Sequence, residues 1–264
     1  MDVRLGPLSD SDQRSDMFSL TVAPTSAIRR YLDGFGNSAH LITIARPHRA
    51  LEVIAQSEVQ TLLDDPFASP RRPPAPLGPS DLADYLSPSV MIPRHEALHA
   101  MAEPYRPETP EDTFAAVQRL TTLVHDTFTY RRHATTVAST VVEVIAHRTG
   151  VCQDFTHVLI GLCRAVGVPA RYVSGYTVAD GHDGGVPERD MAPGDPGASH
   201  AWVEAYTPTH GWRGFDPTNN LVASTAHVKM ATGRDYKDVP PTRGTFRGIA
   251  EEHLHVAVET RSVE

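Results

Sequence analysis

Cysteine is scarce in this sequence, which carries only Cys152 and Cys163 in 264 residues. Secreted disulfide-stabilised domains carry several cysteine pairs, so that class is excluded. No stretch is long and apolar enough to span a membrane, and no apolar signal segment follows Asp2. Basic residues are outnumbered, with 24 Lys and Arg against 32 Asp and Glu, and the net charge of −8 disfavours a nucleic-acid partner. We therefore expect a soluble cytoplasmic protein with neither a nucleic-acid nor a membrane partner.

The first part of the chain, residues 1–66, is rich in strand-forming patterns. Apolar and polar residues alternate over 18–22 and, in part, over 39–45, and residues 51–59 are typical of a further strand. Residues 33–37, Asp-Gly-Phe-Gly-Asn, have the composition of a turn. This segment shows no strong helical periodicity, so the pattern predicts an N-terminal antiparallel β-sandwich.

A proline-rich connector separates this segment from a helical one. Residues 67–80 contain five prolines, which predicts a stiff linker. We place the connector, together with a short helix, over residues 67–110. The core domain is then predicted over 111–240, and C-terminal strands over 241–264.

Helical patterns are concentrated in the predicted core. Apolar residues recur at helical spacing over 112–128. Thr140 and Glu143 form a capping box, which predicts a helix that starts there and ends at Gly150. A further helix is predicted over 152–166, because the residues beyond it include a glycine and a proline that stop helices.

Cys152 opens this last helix, and its position favours a reactive thiol. The positive end of the helix dipole stabilises a thiolate, which is the nucleophilic form of cysteine. The ordinary alternative is a small buried apolar residue. Cys163 lies about three turns further along the same helix, too far for a disulfide, and its apolar neighbours identify it as a core residue.

A base and an orienting group for this thiol are predicted in a following hairpin. If the strands 200–206 and 212–216 pair around a short turn, Trp202 lies opposite Asp216. His200 shares a face with Trp202, since strand side chains alternate, and Asp216 then lies diagonally beside His200. A slip of one residue in the register would separate the two side chains.

Together these residues form a Cys-His-Asp set. The histidine takes the thiol proton, and the aspartate fixes its tautomer and orientation. Taken alone, His200 is equally well explained as a structural histidine, and Asp216 is better explained as a turn residue before a proline. Only the combination indicates catalysis.

At these residues the sequence resembles the bacterial transglutaminase-like superfamily, which is related to the papain-like cysteine enzymes. The resemblance lies in three motifs in the same order, GVCQDFTHVLIGLCRAVGVPARYVSGY (150–176), SHAWVEAY (199–206) and GWRGFDPTNN (211–220). Weaker resemblance extends to GRDYKDVPPTRG (233–244) and to DGFGN (33–37) near the start.

This resemblance implies an α+β fold, a papain-like transglutaminase core in which a helix bundle packs on an antiparallel sheet, preceded by a β-sandwich. The chain departs from the family pattern at its start, where further strand-forming residues are expected, so we expect a β-sandwich that is truncated there. It also carries the roles of nucleophile, base and orienting residue over to Cys152, His200 and Asp216. Three further residues are candidates for supporting roles: Tyr130 as an oxyanion donor, Gln153 as a brace of the helix start, and Trp202 as packing beside the histidine.

Two sets of residues suggest metal ions instead. His95 and His99 match H-E-x-x-H, the zinc-binding motif of zincins, but no third ligand follows at a known spacing. Four aspartates in the loop 180–197 have no EF-hand spacing. They are Asp180, Asp183, Asp190 and Asp195. We therefore expect neither a metal nor a cofactor.

The function predicted from these residues is attack by Cys152 on a carboxamide or peptide carbonyl of a peptide or protein substrate, through an acyl-thioester. Hydrolysis, as in a peptidase or amidase, is favoured. Transamidation, a non-catalytic binding module and an H-E-x-x-H zinc protease are the alternatives. The sequence leaves the oligomeric state open, a homo-oligomer included.

Overall fold

The computed structural model describes residues 1–178, 199–248 and 253–262. Its strands, in chain order, are β1 (Asp2–Val3), β2 (Gln13–Ala23), β3 (Ala27–Leu32), β4 (Ser38–Thr43), β5 (Glu52–Thr61), β6 (Thr129–Tyr130), β7 (Thr149–Gly150), β8 (Ala170–Thr177), β9 (Ser199–Thr207), β10 (Gly211–Asp216), β11 (Leu221–Val222), β12 (His227–Gly233) and β13 (Thr242–Arg243). Its α-helices are α1 (Pro79–Leu86), α2 (Glu96–Ala102), α3 (Thr113–Thr127), α4 (Val141–His147) and α5 (Cys152–Ala165). Within the described ranges, no helix has the length and apolar character that a membrane crossing requires.

A five-stranded antiparallel sheet lies at the centre of the molecule, in the order β11-β10-β9-β8-β12. Helix α5 packs on its middle strand, β9, and α2, α3 and α4 pack around α5. All residues of α5 from Asp154 to Cys163 are buried, as expected for a helix at the centre of a core. A Cβ at Gly161 would lie 2.8 Å from Leu98 Cδ1, so this glycine lets α2 approach α5 closely.

The helices predicted for the core are present, with one corrected end. The capping box of α4 is formed, since the backbone N–H of Thr140 donates to the Glu143 carboxylate at 2.7 Å. The predicted end of this helix at Gly150 is wrong. The helix ends at His147, because Arg148 adopts a left-handed backbone conformation with φ of 51° and stops the helical run.

The N-terminal region contains two smaller sheets. Strands β13, β1, β4 and β3 form a four-stranded sheet in that order, and β2 pairs with β5 as a two-stranded ribbon. The strand predicted over 18–22 lies within β2, and those predicted over 39–45 and 51–59 overlap β4 and β5. Strand β3 is not predicted from the sequence, because its exposed Arg29 and Arg30 interrupt the apolar alternation.

Both ends of the chain contribute to the four-stranded sheet, since β13 pairs with β1. Of the strands predicted over 241–264, the described residues contain β13 alone. The connector carries α1 and α2 rather than the single short helix predicted there. The domain boundaries at residues 66, 110 and 240 stay predictions.

Two buried amide side chains join the N-terminal region to β12. Gln13 donates to the backbone carbonyl of Lys229 at 2.8 Å and accepts from its N–H at 2.7 Å. Asn37 bonds the carbonyl and N–H of Thr232 in the same way, at 2.8 and 2.7 Å. Each amide therefore takes the place of a neighbouring strand at one residue of β12.

A buried ion cluster lies next to these contacts. The Lys229 ammonium lies 3.0 Å from the Glu204 carboxylate, which also accepts from Arg171 at 2.6 Å. Asp10 and Asp12, from the N-terminal region, bind the same ammonium group. Burial would raise the pKa of Glu204, but Lys229 and Arg171 outweigh it and lower that pKa to about 2.

Candidate active site

Strands β9 and β10 form the hairpin that carries the predicted base and orienting residue. Val203 lies opposite Phe215, so the next pair in this register is Trp202 with Asp216. His200 lies on the same face of β9 as Trp202, and its Nε2 atom is 2.7 Å from Asp216 Oδ2. The register predicted from the sequence is confirmed, and it brings these two side chains together.

The Asp216 carboxylate is fully buried and accepts several N–H donors. Its Oδ1 accepts from the backbone N–H groups of Thr218 at 2.9 Å and Asn219 at 3.2 Å. Its Oδ2 accepts from the Asn219 side-chain amide at 2.7 Å, in addition to His200. Burial would raise the pKa of Asp216, but the charge and hydrogen bonds of His200 and His227 hold that pKa well below its usual range.

Because Asp216 is ionised, it can only accept, and His200 Nε2 must carry the proton that it shares. Burial would lower the pKa of His200, but Asp216 and the contact with Cys152 raise it to about 10. The imidazole is therefore held in its charged form at neutral pH, hydrogen-bonded to Asp216 and also influenced by Cys152.

Cys152 is the first residue of α5 and is partly buried. Val151 before it is extended, so Cys152 belongs to the first helical turn, whose backbone N–H groups have no partner further back in the helix. The helix N-terminus and the adjacent His200 imidazolium both bring positive charge to the surroundings of this residue.

A hydrogen-bonded turn around Asp154 fixes the position of this helix start. The Asp154 carboxylate accepts from the Val151 N–H at 2.8 Å and from the Thr135 hydroxyl at 2.6 Å. A Cβ at Gly150 would lie only 2.6 Å from the Asp154 Cβ, so glycine is required here. Burial raises the pKa of Asp154, against the effect of these two donors.

Trp202 supports the histidine from within the sheet. Its ring centroid lies 6.1 Å from that of His200, and the side chain is almost completely buried. A Cβ at Gly175 would lie 2.4 Å from the Trp202 ring, and one at Gly214 would lie 3.2 Å from it. Two glycines therefore leave the space in which the indole lies.

The other two supporting candidates, Tyr130 and Gln153, lie near the start of α5. Tyr130 is 41% exposed, and its ring meets the edge of Phe155 at 6.2 Å. It pairs with Gly150 between β6 and β7, just before the nucleophile. Gln153 is partly buried and, among the described residues, makes no hydrogen bond to the triad. Their catalytic roles stay predictions.

Cys163 has the environment of a core residue. It is fully buried near the end of α5, and burial raises the pKa of its thiol to about 12. A thiol with this pKa is protonated and unreactive at neutral pH.

The H-E-x-x-H segment does not have the geometry of a zincin site. His95 lies before α2 and caps it, accepting from the Ala97 N–H at 3.2 Å, so the two histidines do not share a helix face. The aspartates considered for calcium lie outside the described residues.

Two residues in contact with Asp216 are absent from the sequence-based prediction. Asn219 follows Asp216 in the same turn, and the turn-forming composition of FDPTNN (215–220) could have indicated that it lies close to Asp216. His227 comes from β12, and no spacing indicated it. The ligand atoms of His200, Asp216 and His227 lie within 4.8 Å of one another, so this is where the described residues have the geometry to hold a metal ion.

Comparison with known proteins places this geometry in a family. The transglutaminase-like superfamily model matches residues 98–217, and that of the bacterial transglutaminase-like N-terminal region matches residues 1–60. An uncharacterized Mycobacterium tuberculosis protein is 33% identical over 265 residues, which cover 95% of this chain and 82% of that protein. The chain belongs to the transglutaminase-like superfamily. An uncharacterized Mycobacterium leprae protein is 30% identical, over 98% of this chain and 90% of its own length.

One solved structure and one further sequence relative support the same family. A structure from Cytophaga hutchinsonii with a provisional assignment as a cysteine protease has a TM-score of 0.66 and 25% identity, and the match covers 91% of this chain and 78% of that one. A protein-glutamine gamma-glutamyltransferase of Pseudomonas aeruginosa is 29% identical over 111 residues, 39% of this chain and 15% of that protein. The predicted family and α+β papain-like transglutaminase fold are confirmed, and members of this superfamily are typically enzymes.

Proposed function

We propose that this protein is a cysteine-dependent amide-bond enzyme that acts on a peptide or protein substrate through an acyl-thioester on Cys152. One observation carries the proposal: His200 is bonded to the ionised Asp216 at 2.7 Å and contacts Cys152 at the start of α5. Nucleophile, base and orienting group are thereby in the order that thiol acyl transfer needs.

The proposed reaction begins when the Cys152 thiolate attacks the carbonyl carbon of the amide. As the C–N bond breaks, the His200 imidazolium gives its Nδ1 proton to the departing amine, and the acyl group remains on the sulfur. His200 then takes a proton from water, whose oxygen attacks the thioester and releases a carboxylic acid and the thiolate. Asp216 stays ionised throughout and holds the ring in place.

We favour hydrolysis over transfer to an amine. The longer likeness, over 91% of the chain, is to the structure provisionally assigned as a cysteine protease, whereas the likeness to the glutamyltransferase spans 39%. Transamidation is the second candidate, because that relative's name specifies it and because both reactions share the acylation step.

The first test is the alkylation of Cys152 by iodoacetamide as a function of pH, followed by mass spectrometry. Cys163 in the same molecule is the internal control. We expect fast labelling of Cys152 that persists below the usual thiol pKa and is slowed by His200→Ala. Equal, slow labelling of both cysteines would favour a non-catalytic binding module instead.

Product masses then separate the two reactions. A peptide library is incubated with the enzyme, with and without a primary amine, and Cys152→Ala is the control. Hydrolysis adds water or converts a carboxamide to an acid, whereas transamidation joins the amine to the peptide.

The cytoplasmic location stays a prediction, and cell fractionation tests it. Sedimentation measurements give the oligomeric state.

A further inference from the structure

His227 is a second histidine in contact with the triad aspartate. It begins β12, and its Nε2 lies 3.4 Å from Asp216 Oδ2, the oxygen to which His200 is bonded. Only 8% of His227 is exposed. The titratable groups that face it are Asp216 from β10 and His200 from β9, whose ring centroid is 6.2 Å away.

The partners of His227 define its tautomer. The ionised Asp216 only accepts, so Nε2 of His227 carries a proton that points at Oδ2. Its Nδ1 is buried and has no hydrogen-bond partner among the described residues. Such an orphaned polar atom costs stability, and a phenyl ring would avoid the cost. Packing alone therefore does not explain a histidine at this position.

Trp202 fixes the two imidazoles relative to each other. The edge of His227 meets the Trp202 ring at a centroid distance of 5.0 Å and an angle of 79°. His200 lies against the same indole. The His227 ring therefore cannot turn away from Asp216 without displacing a side chain that also supports the base.

We propose that His227 is a positioning residue, which donates to Asp216 Oδ2 and keeps that oxygen aimed at His200. Without this donor, Oδ2 keeps only the Asn219 amide beside His200, at 2.7 Å, and the Asn219 side then draws it away from its alignment with the imidazolium. This proposal rests on the proposed function of the triad. It adds a second imidazole, contributed by β12, that acts through Asp216 and does not touch the substrate.

Two variants separate the donor from the ring. His227→Phe keeps an aromatic ring and removes the N–H, whereas His227→Gln provides an amide N–H at similar reach. We expect His227→Phe to slow Cys152 alkylation at neutral pH by about tenfold and to move the acidic midpoint of the rate to higher pH, because misplaced catalytic groups lose about this much or more. We expect His227→Gln to restore the rate to within about threefold of the wild type.

A stability measurement is the control for these two variants, and the acidic midpoint decides the outcome. Urea unfolding should show His227→Phe to be no less stable than the wild type, because the orphaned Nδ1 is removed. An unchanged acidic midpoint in His227→Phe would overturn the proposal. So would a shift to lower pH, which would mean that His227 competes with His200 for Asp216, or equal losses in both variants, which would indicate packing alone.

A failure of the triad itself would look different. Wild-type Cys152 would then label no faster than an ordinary thiol. The NMR resonance of the His200 Nε2–H proton would still report on its bond to Asp216. A change of that resonance in His227→Phe, reversed in His227→Gln, would support the positioning role, and an unchanged resonance would refute it.

Discussion

Strands β9 and β2 are both long, but they hold their side chains in opposite environments. Every residue of β9 from His200 to Ala205 is buried, because α5 covers the sheet there. In β2 only Gln13 is buried, and the rest of the ribbon alternates between exposed and partly buried positions. The covered strand can bury charged groups that are paired, whereas charges on the ribbon remain solvated.

Substitutions of charged residues are therefore expected to have larger effects in β9 than in the β2–β5 ribbon. The charged side chains of β9 are paired with oppositely charged groups that shift their pKa, as for His200 and Glu204. The ribbon ion pair of Arg14 with Asp16 is exposed, and such pairs contribute little to stability. Matched substitutions in the two regions should therefore have very different effects.

Asp216→Ala should have the largest effect, on the reaction itself. His200 loses its orienting acceptor and the charge that raises its pKa, so kcat/KM should fall by about 10³–10⁴-fold. Steady-state kinetics on a peptide identified by the library screen measure this. Asp16→Ala on the ribbon is the control and should stay within about twofold. Comparable losses of kcat/KM in both variants would show that the sheet and the ribbon do not differ in this way.

Glu204→Gln should have the largest effect on stability. It leaves the buried charges of Lys229 and Arg171 without their shared carboxylate, and breaking a buried ion pair costs about 3–5 kcal/mol. Urea unfolding at pH 7 gives the change in the free energy of unfolding. Glu58→Gln on β5, where the side chain is exposed, should change it by less than about 0.5 kcal/mol.

The same carboxylate predicts how stability depends on pH. The pKa of Glu204 is lowered from 4.5 to about 2, so its contribution is complete above its unfolded pKa and is lost as pH falls through the folded value. Stability should therefore drop between about pH 5 and 2 more steeply in the wild type than in Glu204→Gln. Parallel curves, obtained from thermal unfolding across this range, would contradict the assignment.

Asn37→Ala should have a smaller effect, about 1–3 kcal/mol, because it leaves the buried N–H and carbonyl of Thr232 unpaired. Urea unfolding measures the loss. Gln56→Ala, at an exposed position of β5, is the matched amide removal and should be close to neutral. A neutral Asn37→Ala would mean that water replaces the amide at β12.

Features that depend on neighbours along the chain could be predicted. The β9–β10 register follows from alternation across a short turn, and the starts of α4 and α5 follow from a capping box and from the residues before Cys152. These local signals were sufficient to place His200 beside Asp216.

Features that depend on distant segments could not be predicted. His227 reaches Asp216 only because β12 pairs with β8, and no sequence spacing encodes that contact. Lys229 in a strand is typical of an exposed position, yet it is buried here against Glu204. Asn37 was identified as part of a turn, but its partner in β12 depends on how the N-terminal region packs.

The amides of Gln13 and Asn37 also have a consequence for solubility. β12 is one of the two outer strands of the five-stranded sheet, and an uncovered outer strand offers free N–H and carbonyl groups to other chains. The two amides occupy those groups at Lys229 and Thr232. A fragment that begins after the ribbon would expose this strand as a template for self-association, so we expect the N-terminal region to protect the five-stranded sheet against aggregation.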